Sequence, residues 1–163
     1  MKRDTLLAFA VMYLALAGHS FAATGASVHG HEHGAAATTT TLQLNAGKKW
    51  GTDAALRQAM GGIRQELAAA LHQIHENRLP NKEYDKLAQK VERGVADIVA
   101  NCKLEPKADA QLHLIVAEML EGAEKMAGKV KQAKRQSGAV VVIGALEKYG
   151  TYFDDAGFKP IAH

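Results

Sequence analysis

An internal disulfide bond is the first thing this chain cannot have. Its 163 residues contain a single cysteine, Cys102, so any fold it adopts must hold through packing. The same scarcity rules out c-type haem, which needs Cys-x-x-Cys-His. Paired with His113, Cys102 offers too few ligands for a closed structural zinc site. Proline is scarce too, with Pro80, Pro106 and Pro160 the only three. Neither sign of charge dominates: 20 Lys and Arg face 17 Asp and Glu, a formal net charge of +3. The basic residues are interspersed with acids rather than gathered into a stripe, which argues against a nucleic-acid partner. No Gly-x-Ser-x-Gly, His-Glu-x-x-His or phosphate-binding glycine loop occurs, and without an assembled catalytic set the chain is not expected to be an enzyme.

The apolar run Leu6–Ala17 falls short of the roughly 20 residues that cross a bilayer. It follows a short basic start, Lys2-Arg3, and precedes Ser20-Phe21-Ala22, which places small residues at the −3 and −1 positions of a cleavage site. This order predicts a secretory signal peptide over residues 1–22, removed after Ala22, and a periplasmic product with no membrane span. Loss of Lys2, Arg3 and Asp4 would lower the formal net charge from +3 to +2.

Residues 23–51 read as a disordered linker rich in His, Ala and Thr, with little to bury. Order is expected to begin around Leu42-Gln43-Leu44, and the ring of Trp50 to pack on the end of the fold that follows. Within the linker, His29-Gly30-His31-Glu32-His33 is the sharpest chemical feature. Three imidazoles at alternate positions of a pliant chain can turn toward one ion, and imidazole suits Cu(II), Ni(II) and Zn(II). His29, His31 and His33 are therefore the candidate metal ligands, with Glu32 a further oxygen donor.

From residue 52 to 163 the pattern is helical. Leu56, Met60, Ile63, Leu67, Leu71 and Ile74 mark one face of a first helix capped by Thr52 or Asp53. Gly61-Gly62 interrupts it, weakening it or admitting a neighbouring helix. Pro80-Asn81 breaks the chain, with Asn81 as a cap, and Tyr84, Leu87, Val91, Val95, Ile98 and Cys102 form a second stripe. Cys102 is in phase with that stripe and reads as a core thiol. Pro106 suits the first turn of a third helix. Its stripe, from Leu112 through Met126 to Val130 and Ala133, predicts the longest helix, ending near Ser137-Gly138. The run Val140–Ile143 is β-branched and favours a strand. The spacing of Val142, Leu146, Tyr149 and Phe153 favours a helix instead, with Ser137 as cap and Gly157 and Pro160 as stop signals. Four such stripes with short connections predict an all-α, up-down-up-down four-helix bundle. Its interior should include Leu67, Leu71, Val91, Ile98, Ile115, Met119, Leu146 and Phe153.

Other candidate ligands are weaker. His72 and His75 share a helical face, His72 toward solvent and His75 at the border of the buried stripe. No Glu-x-x-His pair elsewhere completes a dimetal site. Met60, Met119 and Met126 read as gap-filling core residues rather than haem ligands.

The strings Leu44-Asn45-Ala46-Gly47-Lys48-Lys49-Trp50, Ile98-Val99-Ala100-Asn101-Cys102-Lys103-Leu104 and Gly138 to Tyr149 carry a resemblance. Over Leu44–Phe158 the chain resembles an uncharacterised family of small exported helical proteins from Gram-negative bacteria. None of these strings implies a functional residue. The layout is also broadly similar to cytochrome b562-type four-helix bundles, whose haem ligands have no counterpart here. The sequence thus points to a periplasmic binding protein that buffers or senses a transition metal through a His-rich arm. The alternative is a structural or protein-interaction module with no metal role.

Overall fold

The computed structural model describes residues 41–161. The predicted signal peptide and the His29–His33 run lie outside the described residues. Four helices follow one another: α1 (Ala54–His75), α2 (Asn81–Asn101), α3 (Pro106–Met126) and α4 (Arg135–Tyr152). Each packs antiparallel on the next, and α4 returns to pack against α1. The result is the expected all-α four-helix bundle, with no helix among the described residues long and apolar enough to cross a membrane.

Local chemistry explains several helix ends. Asp53 caps α1, its Oδ1 accepting the Leu56 N–H at 2.8 Å, which satisfies one of the four donors that a helix start leaves unpaired. Pro106 opens α3, where its missing N–H costs nothing. Asn81 does not cap α2. It is already helical, and Pro80 stands at the cap position without a side-chain bond.

The third helix is shorter than its apolar spacing suggests. It stops at Met126, and α1, with 22 residues, is the longest. Gly128 takes φ +72°, the left-handed conformation that ends helices, and its N–H donates to the Lys125 carbonyl. Arg135 then donates to the freed Met126 carbonyl at 2.6 Å and to Asp85. Val130 and Ala133 therefore sit in the turn, half-buried. Residues 135–152 are helical despite their β-branched run. Gly138, Ala139, Val142, Ala145, Leu146 and Tyr149 form its inward face, and Val140 is left pointing out at 55 % exposure. Ser137 lies inside α4, with its hydroxyl donating back to the Lys134 carbonyl.

Tertiary packing decides where glycine matters. A methyl added at Gly122 would lie 2.6 Å from Val142 Cγ2 and 2.7 Å from the Gly138 carbonyl oxygen, so α3 and α4 cross backbone to backbone. One added at Gly94 would lie 2.6 Å from Ile63 Cδ1. Gly61 and Gly62 do not admit a neighbouring helix: nothing approaches Gly61, and only the Lys90 side chain nears Gly62, at 3.7 Å. The core holds Leu67, Val91, Ile98, Ile115, Met119, Leu146 and Phe153 as expected, together with Met60 and Met126. Leu71 is only half-buried, because Leu67 and Ile74 already fill the centre of that face.

Residues 41–53 are part of the fold, which accords with order beginning around Leu42-Gln43-Leu44. Trp50 is buried on the end of the bundle as its position suggested. Its backbone N–H donates to the Tyr152 carbonyl and its carbonyl accepts the Asp154 N–H, both at 2.8 Å. These bonds pair Trp50 with Phe153 as a parallel bridge. The indole N–H donates to the Gln43 carbonyl at 2.6 Å, and the Gln43 N–H donates to the buried Gln111 side chain at 2.7 Å. The residues after α4 fold back: Tyr149 donates its hydroxyl to Asp155 Oδ2 at 2.9 Å, and Asp155 Oδ1 accepts the Gly157 N–H. The bundle thus has a base, made by this entry strap, the α2–α3 turn and the tail after α4. At its opposite end lie the α1–α2 and α3–α4 turns.

Candidate functional site

At the base, Asp53 joins three pieces of chain. Besides capping α1, its Oδ2 accepts the Lys103 N–H at 2.6 Å, and it accepts the Cys102 thiol. Burial opposes its ionisation, but the N–H groups of Leu56 and Lys103, the thiol and the nearby Arg57 outweigh that. Its pKa is lowered from the ordinary 3.8. Sequence reading found the cap and missed the rest, because a bond between residues fifty apart leaves no local spacing to detect.

Cys102 is half-buried rather than fully enclosed, closing the C-terminal end of α2. Burial first, then the negative charges of Asp53 and Asp109, push its thiol up to about 11. A thiol held protonated in this way is a poor nucleophile, since the thiolate is the reactive form. Cys102, Asp109 and His113 line one groove of about 200 Å³ between α2 and α3, with Val99 and Leu112 forming its apolar wall. His113 itself is exposed. Its Nδ1 lies 2.9 Å from the Asp109 carbonyl oxygen, which can only accept, so Nδ1 is the donor of that bond.

The other described histidines are far from this groove, at the opposite end of the bundle. His72 Nε2 lies 3.3 Å from Glu76. His75 is also exposed, not at the edge of the core as its phase implied, since Ile74 takes the buried position next to it. Sequence spacing put His72 and His75 on one helix and His113 near Cys102, and the fold keeps those two groups apart. Among the described residues, no three His, Cys, Asp or Glu side chains come close enough together to hold a metal ion. Larger hollows of about 630 and 460 Å³ run along α1 and α2. Ala59, Gly62, Gly94 and Lys90 are among their walls, and neither contains a histidine or the cysteine. The candidate ligands His29, His31 and His33 lie outside the described residues.

Comparison with family models, with curated proteins and with solved structures finds no match to this chain.

Proposed function

We propose that the chain is an exported, periplasmic binding protein in which the four-helix bundle carries a metal-binding arm, with His29, His31 and His33 as ligands for Cu(II), Ni(II) or Zn(II). The observation that carries this reading is the placement of three imidazoles within five residues, only a short stretch of chain before the strap that fastens at Leu42–Trp50. Short alternating spacing lets one ion meet several nitrogens, and imidazole suits these borderline metals. The signal-like order of residues 1–22 agrees with an extracytoplasmic location. The role assigned is binding rather than catalysis, in keeping with the missing catalytic motifs.

The test is calorimetric titration of the protein recovered from the periplasmic fraction, beginning at Ala23 by mass, with each of the three metals at neutral pH. One metal ion should bind, and the binding should weaken as pH falls through about 6.5, where protons compete for imidazole nitrogen. The variant with all three histidines changed to Ala should lose binding and keep its melting temperature. Equal binding by that variant would refute the assignment. The exposure of Val99, at 73 %, and Val140, at 55 %, favours the second reading, a protein-interaction module. That reading gains if neither protein binds metal.

A further inference from the structure

The end of the bundle opposite the strap has a charge pattern of its own. Its two turns lie side by side, because Arg135 reaches the Asn81 carbonyl and Asp85, and Gln136 donates to the Ile74 carbonyl at 2.7 Å. From Lys125 to Arg135 inclusive there are five cations and no acid. Most acids at this end are matched: Glu76 to Arg78, Glu83 to Lys86, Asp85 to Arg135 and Glu121 to Lys125. Lys129 is matched too, bonded to Glu92 with Glu124 nearby, and its pKa is raised. The positive surplus rests on Lys82, Lys131 and Lys134, all exposed. Among the described residues none of these three ammonium groups meets a carboxylate.

We propose that this end of the bundle docks on a surface of anionic, phosphate-bearing lipid headgroups through Lys82, Lys131 and Lys134. The partner follows from chemistry. The three groups crown the blunt end of a helix bundle and do not run along a helix, so they suit a plane better than the groove of a duplex. No exposed aromatic ring lies among them to stack a base, since the aromatic residue of these segments, Tyr84, is buried. Single-stranded nucleic acid is held by such rings. All three are lysines, point charges that need no bidentate geometry and are attracted additively to an anionic bilayer face. Val130, half-buried in the same turn, places an apolar side chain between Lys129 and Lys131. The contact is peripheral, and no helix enters the bilayer.

The test uses the whole chain from Ala23 in chelator-treated, metal-free buffer, so its outcome is independent of metal binding at the His run. Sedimentation with phosphatidylcholine vesicles containing about one third phosphatidylglycerol should pull the protein down, and pure phosphatidylcholine should not. Raising salt toward 1 M shortens the screening length to about 3 Å and should release it. The triple variant K82E/K131E/K134E should lose about tenfold or more in vesicle affinity, and the milder Lys→Gln triple variant should lose part of it. K103E/K107E, at the base, should bind as the parent does. No binding of the parent to anionic vesicles would overturn the proposal, as would equal losses from the two ends. Preferential retention on single-stranded DNA, or on an acidic protein, by a parent that ignores vesicles would overturn it in favour of that partner.

Discussion

Asp53 shows how much one carboxylate does in a chain without an internal disulfide. Its two oxygens hold the start of α1 and the Lys103 N–H, while the Cys102 thiol completes the junction. Removing a capping Asp costs about 0.5–2 kcal/mol, and Asp53→Ala should fall toward the upper part of that range because a second N–H is orphaned as well. The pH dependence has a definite sign. The folded pKa is depressed below 3.8, so the anion's stabilisation is complete above about pH 4 and is lost as pH falls through the depressed value. The stability gap between parent and Asp53→Ala, measured by urea unfolding, should be flat from neutral pH to about 4 and narrow below it. Cys102 reports on the same junction. Its thiol should react slowly with a labelling reagent at neutral pH, because burial and Asp53 hold it protonated, and faster once Asp53 is replaced. A fast reaction in the parent would contradict both the geometry and the direction of that shift.

At the level of elements, glycine separates helix propensity from helix packing. Gly61 has open space around it, whereas Gly138 lies against the backbone of α3. Gly61→Ala should stabilise the protein by up to about 1 kcal/mol through propensity alone. Gly138→Ala should destabilise it by about 1–3 kcal/mol, because a methyl there forces α3 and α4 apart. Thermal melts of the two variants should shift in opposite directions. The sequence made the helix count and order readable, because Leu56, Tyr84, Leu112 and Val142 each begin a stripe at helical spacing between proline or glycine breaks. It did not show which glycines meet a neighbour, since that depends on how two helices cross. The end of α3 was misread for a related reason. Val130 and Ala133 continue the apolar spacing by chance of composition, while the stop is a left-handed Gly128 sealed by Arg135 from the next helix. The candidate metal ligands could be named from spacing alone; the Asp53–Cys102–Lys103 junction could not, because a turn brings it together.

For the whole molecule, the strap makes Trp50 a reporter of global integrity. It is the single tryptophan of the chain and is 6 % exposed, fixed by bonds to Gln43, Tyr152 and Asp154. If strap and bundle form one cooperative unit, the loss of its buried emission and the loss of far-ultraviolet helix signal should follow one transition on heating. A fluorescence change at clearly lower temperature would show the strap detaching before the helices melt.

The pairing of Trp50 with Phe153 has a mechanical consequence. The two segments run parallel, and two backbone hydrogen bonds flank the contact. Tension applied to the chain before residue 50 and after residue 153 would pull them in opposite directions along their length. The bonds would then be loaded together, in shear, rather than opened one at a time like a zip. The helices between them would be drawn out from their ends only after this clip had failed.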